Sequence, residues 1–386
     1  MTQRRRWSVA AMVAVGVAAV AVFVWLYPYA IPTAALRMRV FQGGAESRAE
    51  GFLRQEGAGV PPGYRRSSRF TTSEYRKAYL EQTLGLVRAS QVMQREGFVY
   101  AWRVRWFKPG EQTEYSVWVD PDGRITGYSQ RRPDDAPAPN SIRPEAVARA
   151  FAVRTAGVDL TGYDLKEKSE VAQPRRRDYH YVWERRGFRL GEATQRMNVT
   201  VTGDRVISYG RSVHVPESFW QRYDRENEKG DLLANVASVL AVGLLVVALV
   251  GLVIGTARRE LQWRRGLWPA GILAAILVLN AANWLPLQRG MQSTTDTDAT
   301  FAIRVATSTL TEAVGAFLGM WLLMVGAEWR YRRAFPGRIS LWHWFSRDGL
   351  ASPAGRKRLV AGYSLAAVQL AYVAVFYALD RRLFGI

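Results

Sequence analysis

A multi-pass α-helical membrane protein carrying an α+β domain outside the membrane is the fold this sequence predicts, and three observations predict it. Residues 232–254 are an uncharged apolar run of the length a helix needs to cross a bilayer. Residues 37–230 are polar and charged, with aromatic residues spaced through them and no long apolar run. Beyond residue 254, apolar segments alternate with arginine-rich connections. The expected divisions are residues 1–36, a cytoplasmic tail and first transmembrane helix; 37–140 and 141–215, two similar units; 216–231, an amphipathic juncture; and 232–386, a membrane block with four further transmembrane helices.

The first span is residues 7–26, behind the basic start MTQRRRW. A signal peptide would share these features, but the uninterrupted length, the aromatic rim of Trp25, Tyr27 and Tyr29, and the missing small-residue cleavage site predict a retained anchor. Its basic end is placed in the cytoplasm, which puts residues 37–230 outside.

Within that domain a helix followed by strands is expected twice. Residues 47–54 read as a helical start in which Ser47 precedes Glu50 by the capping-box spacing. Residues 99–106, 114–119 and 124–130 alternate around the turn Asp120-Pro-Asp-Gly123, as antiparallel strands do. Residues 141–155 repeat the helix, with Ser141 as cap and Pro144 in the first turn, and residues 179–183, 195–201 and 206–214 repeat the strands, with Gly203 and Asp204 at the last turn. The stretch VWVDPDGRITGYSQR in the first unit corresponds to VTVTGDRVISYGRSV in the second, and Pro133, Pro137 and Pro139 mark the linker between them. The aromatics Tyr100, Trp102, Trp106, Tyr115, Trp118, Tyr179, Tyr181 and Trp183 are expected to pack in the core rather than form a ligand platform. This layout and its hydrophobic–Asp–x–x–Gly hairpin resemble the PepSY domain, a small helix-plus-sheet module found outside the membrane beside proteases.

After the juncture HVPESFWQRYDRENEKG, where Phe219, Trp220 and Tyr223 could bury against the domain or rest at the interface, come the spans 232–254, 267–285, 305–327 and 359–379. Asn280 and Asn283 could be buried glue between helices or face the outer interface, and glue is the expected role. Residues 286–304 form an outer loop. Glu312 is the one carboxylate expected within a span, with a structural or interfacial role set above a catalytic one. Residues 328–357 are expected as a basic cytoplasmic connector in which His343 lies beside Trp342, Trp344 and Phe345. Five crossings place the C-terminus outside, and an architecture continuing beyond Ile386 is expected.

Composition bounds the function. The chain has 386 residues and a formal net charge of +20. That charge would indicate nucleic acid for a soluble protein, but basic clusters at residues 4–6, 258–259, 264–265 and 356–358 flank apolar segments, where anionic lipid favours them. Membrane lipids are therefore the expected partner, and nucleic acid is not. Cysteine is absent, which excludes disulfides, thiolate catalysis and thiolate zinc sites.

The order of one anchor, a paired external domain, the VPESFWQRYDRENE juncture and several membrane helices is similar to the N-terminal half of large bacterial members of the CAAX-protease and bacteriocin-processing (CPBP) family. The resemblance implies an intramembrane peptidase core with an EExxxR motif and FxxxH histidines. Neither motif occurs here: there is no Glu–Glu pair, and His180, His214 and His343 follow Arg176, Gly210 and Ile339 at the FxxxH spacing. No catalytic, cofactor-binding or metal-ligating residue is therefore assigned, and a divalent metal is implied only if a peptidase core follows. The expected function is the accessory or sensory region of such a protease in a bacterial inner membrane, with a separate or downstream core and a peptide or protein ligand of the external domain as partners. A stand-alone sensor or scaffold is the alternative. An unfamiliar intramembrane enzyme or small transporter built on Glu312, Asn280 and Asn283 comes third.

Overall fold

The computed structural model describes residues 8–30, 36–140, 142–335, 343 and 346–384. Expectations placed on residues 4–7, Ser141, Trp342, Trp344 and Phe345, and on the side chain of Tyr29, fall outside them. The chain divides into a sheet unit, Ala35–Arg225 with Leu285–Ala302, and a helical unit that comprises the N-terminal helix, Glu226–Trp284 and the chain from Ile303.

In the sheet unit, α2 (Gln42–Gln55), β1 (Arg65–Thr72), α3 (Glu74–Leu84), α4 (Leu86–Glu96), β2 (Tyr100–Phe107), β3 (Glu114–Val119) and β4 (Ile125–Arg131) precede α5 (Pro144–Arg154), β5 (Tyr163–Gln173), β6 (Arg176–Leu190), β7 (Ala193–Thr202) and β8 (Arg205–His214). The strands form one antiparallel sheet in the order β1-β2-β3-β4-β8-β7-β6-β5. Two separate small sheets were the expectation; instead the last strands of the two halves pair with each other, Gly127 opposite Gly210, Tyr128 opposite Tyr209 and Ser129 opposite Ser208.

Side-chain burial explains that fusion. Tyr128 and Tyr209 stand opposite each other on the face covered by α2 and α5. Phe52 from α2 meets Tyr128 edge-on at 5.3 Å and 61°, and Phe151 from α5 meets Tyr209 at 5.4 Å and 60°. The two phenylalanines meet each other at 6.4 Å and 88°. Each half thus repeats the same contact about the β4–β8 seam, and one apolar core runs beneath both. Burial pushes the Tyr209 phenol up to about 12 and raises that of Tyr128 further.

Local chemistry sets the element ends. Ser47 lies inside α2 and not at its start; its hydroxyl donates to Gly43 O at 3.0 Å, a back-bond within the helix. Pro144 opens α5, where its missing N–H costs nothing. The β3–β4 turn is organised by buried Asp120, which accepts from the N–H groups of Asp122 and Arg124 at 3.0 and 2.8 Å and from Arg124 Nε at 2.5 Å. The linker between the halves is pinned by buried Arg176, whose Nη1 donates to Pro133 O, Asp134 O and Ala136 O at 2.5–3.1 Å while its Nε donates to Asp178 at 3.0 Å.

A second apolar cluster joins α3 and α4 to the sheet. Tyr79 donates to Leu190 O at 2.9 Å and accepts from the N–H groups of Glu192 and Ala193. Phe219, in the first turn of α6 (Glu217–Ala257), is buried edge-on against Tyr79 at 5.0 Å. The juncture therefore packs on the sheet unit, and it is not a separate element: helix α6 continues from it through the apolar run without a break.

The helical unit contains α1 (Val9–Ala30), α6 from Glu226, α7 (Leu267–Gly290) as far as Trp284, α8 (Asp298–Ala334) from Ile303, the short α9 (Arg347–Ala351) and α10 (Pro353–Phe384). Among the described residues five helices are long and apolar enough to cross a membrane, which marks the chain as a membrane protein. Helices α1 and α10 pack in parallel through small residues, Gly16 against Ser364 and Ala19 against Ala367 and Ala371. Helix α8 runs past Glu328, where a connector was expected, because its end is tied to the α6–α7 connection. Trp321 Nε1 donates to Trp263 O at 2.8 Å, Trp329 Nε1 to Glu260 at 2.6 Å and Arg332 to Gln262 at 3.0 Å. The α7–α8 loop is correspondingly shorter than expected, since α7 continues through Pro286 to Gly290 and α8 begins at Asp298.

Candidate functional site

Helices α2 and α5 cover one face of the sheet, and the other face is polar. Successive strands β5, β6, β7, β8, β4 and β3 place Ser169, His180, Thr200, Ser208, Ser129 and Ser116 in one row across it. The next row holds Asn198, Gly210, Gly127 and Trp118. At Gly127 an added Cβ would sit 3.1 Å from the Trp118 indole, so the missing side chain lets the ring lie down over the middle of the sheet.

The start of α3 overhangs this face and leaves two depressions of about 650 and 690 Å³. They share the wall residues Tyr75, Arg76, Asn198 and Ser212 and so form one groove. Trp220 of α6 stacks on Tyr75 with ring centroids 4.0 Å apart, and Glu217 lines the same end. An occupant would therefore touch the first turn of the helix that continues into the apolar run. Of the charged residues in its wall, which include Glu167, Arg196, Arg211 and Glu217, the half-buried Arg76 lies over the Tyr75 ring with a buried Nε that has no hydrogen-bond partner, and burial holds its guanidinium below the ordinary arginine range, against the opposing effect of Tyr75. Partial desolvation of a cation is costly, and a carboxylate entering the groove would meet the unsatisfied Nε and relieve part of that cost.

His180 lines the groove with Nδ1 3.0 Å from Thr200 Oγ1. His214 lies toward the other end, opposite Thr194, six residues along β7 from Thr200. The two imidazoles do not form a common centre. His343 is exposed. Glu312, Asn280 and Asn283 are also exposed, on α8 and α7. Among the described residues no group of three His, Asp or Glu side chains comes together to hold a metal ion.

Of the aromatics, Tyr100, Trp106, Tyr115, Tyr181 and Trp183 are buried, Trp102 and Tyr179 are half-buried against the core, and Trp118 lines the groove, which Tyr100 and Tyr181 also border. Sequence reasoning missed Tyr75 and Arg76, which lie on a helix it did not anticipate. The alternation that placed Trp118 opposite Val117 and Val119 was the one available signal for its position on the open face. No family model, characterised protein or solved structure matches the chain.

Proposed function

We propose that the chain is the sensory or accessory region of a CPBP-type intramembrane protease in a bacterial inner membrane, with its N-terminus inside and its sheet unit outside. In this reading the two halves of the sheet are PepSY-like units, and the groove takes a peptide that carries a carboxylate. The observation that carries the reading is the composition of the groove wall: Arg76 with its unsatisfied Nε and the sheet on one side, and Glu217 and Trp220 of α6 on the other. Binding there acts directly on the helix leading to the membrane. The peptidase chemistry belongs to a partner or following core bearing the EExxxR glutamates.

The test is fluorescence anisotropy with labelled peptides and the full chain in lipid nanodiscs. Peptides with a free C-terminal carboxylate are expected to bind at least about tenfold more tightly than their amides, a difference of about 1.4 kcal/mol. Arg76→Gln is expected to abolish the difference. Equal affinity for both peptides in the wild type would defeat the ligand assignment. A reporter fused after Gly230 that reads cytoplasmic would defeat the topology. Co-purification with a protein bearing EExxxR separates the protease accessory from a stand-alone sensor.

A further inference from the structure

We propose that the β1–β2 edge of the sheet unit carries an anion site that takes the phosphate of an anionic membrane lipid. The site stands on like charges placed where cross-strand neighbours meet. Arg69 and Arg103 are directly opposite in the antiparallel register, and Arg105 follows two residues along β2 on the same face. Like charges in that position destabilise a sheet unless something answers them.

One carboxylate, Glu114, answers two of the three arginines. Glu114 accepts from Arg105 Nε and Nη2 at 2.9 and 2.5 Å and lies 3.5 Å from Arg103 Nη2. The remaining arm of Arg105, Nη1, donates to Gly290 O and Gln292 O at 3.2 and 2.8 Å. Nε and Nη2 of Arg103 both donate to Ser116 Oγ, at 3.2 and 3.1 Å. This leaves Nη1 of Arg103 and the half-buried guanidinium of Arg69, which makes no ion pair among the described residues. The cluster therefore holds two positive charges in excess.

These groups border a cavity of about 170 Å³ lined by Ser67, Arg69, Arg103, Arg105, Gly290 and Met291. That is room for a tetrahedral oxyanion with some water, since a water's share of the liquid is about 30 Å³. Guanidinium forks grip such oxygens in pairs, and the Ser67 hydroxyl adds a neutral donor. The fourth wall depends on glycine: a Cβ at Gly290 would overlap the Ser67 hydroxyl and push the loop off the sheet.

Chain connectivity identifies the anion as a lipid's. Gly290 lies five residues beyond Leu285, where the apolar segment of α7 ends. Five residues span at most about 18 Å whatever path they take. The cavity is thus held within reach of the headgroup layer, where anionic phosphodiesters are concentrated.

The experiment is hydrogen exchange of the full chain in nanodiscs of phosphatidylcholine, with and without phosphatidylglycerol. Phosphatidylglycerol is expected to slow exchange in β1 and β2 of the wild type by about tenfold, which is about 1.4 kcal/mol. Arg69→Gln should exchange no faster than wild type in phosphatidylcholine, because repulsion is relieved, and should ignore phosphatidylglycerol. Arg175→Gln, a change of the same charge at an exposed turn, should respond like wild type, and unchanged exchange in β7 and β8 verifies that each variant is folded. Persistence of the response in Arg69→Gln, its equal loss in Arg175→Gln, or faster exchange of Arg69→Gln in phosphatidylcholine would each overturn the site. Protection by millimolar inorganic phosphate without protection by phosphatidylglycerol would overturn the lipid as its source.

Discussion

Replacing Phe151 by alanine tests whether the eight strands share one core. The ring is 3% exposed and touches Tyr209 of its own half at 5.4 Å and Phe52 of the other half at 6.4 Å. Loss of a buried phenylalanine ring costs about 3–5 kcal/mol, including the cavity it leaves. At about 1.4 kcal/mol per decade, amides that exchange through opening of this core should exchange roughly two to three and a half orders of magnitude faster. The assay is hydrogen exchange with mass spectrometry on the full chain. The location of the change carries the argument more than its size: β3 and β4 should lose protection together with β7 and β8, because Phe52, which packs on Tyr128 of β4, loses its neighbour. Phe52→Ala should mirror the effect. The double variant should fall short of additivity by about 0.5–1.5 kcal/mol, the value of one aromatic pair. Acceleration confined to β5–β8, or full additivity, would refute the shared core and return the halves to independent domains.

Two further outcomes follow from named charges. Asp178→Ala leaves Arg176 buried without its carboxylate and removes the acceptor of the Thr202 hydroxyl, so it should cost about 3–5 kcal/mol and open residues 133–139 to limited proteolysis; resistance equal to wild type would show that Arg176 does not hold the linker. Burial, together with the charge of Arg196 and against Glu184 and Glu217, holds the His214 imidazole below its ordinary 6.5. The folded chain favours the neutral ring, so below 6.5 the unfolded chain binds more protons, and the stability present above 6.5 is lost as the pH falls toward the lowered value. Protection of residues 213–219 should decline over that window and become flat in His214→Gln; an unaltered profile in the variant would assign the titration elsewhere.

The strands that could be read from sequence share a physical property. β2, β3, β7 and β8 have one wet face and one covered face, and their residues alternate accordingly. β1 and β5 lie at the two edges of the sheet, and their sequences, RRSSRFTT and YDLKEKSEVAQ, bury little on either face. Charge on an edge discourages pairing with other chains and at the same time erases the periodic signal. Helix α3 went unread because its apolar residues contact two partners, Tyr79 the β6–β7 turn and Tyr75 the start of α6, and so form no single stripe. The groove was illegible for the same reason, since its key wall is that helix.

By itself the sequence determined where the membrane helices lie, because crossing a bilayer requires only a sufficient length of apolar residues, a property of one stretch of chain. It also placed several strands of the intervening region, because hairpin alternation and turn residues are local. Tertiary structure alone decided that the two halves form one sheet, that Phe219 and Trp220 lock α6 to it, and that Arg69, Arg103 and Arg105 converge beneath a loop from almost two hundred residues away. Those outcomes depend on burial and like-charge placement between residues distant in the chain, and no local pattern records which distant partner will cover an apolar face or crowd a charge.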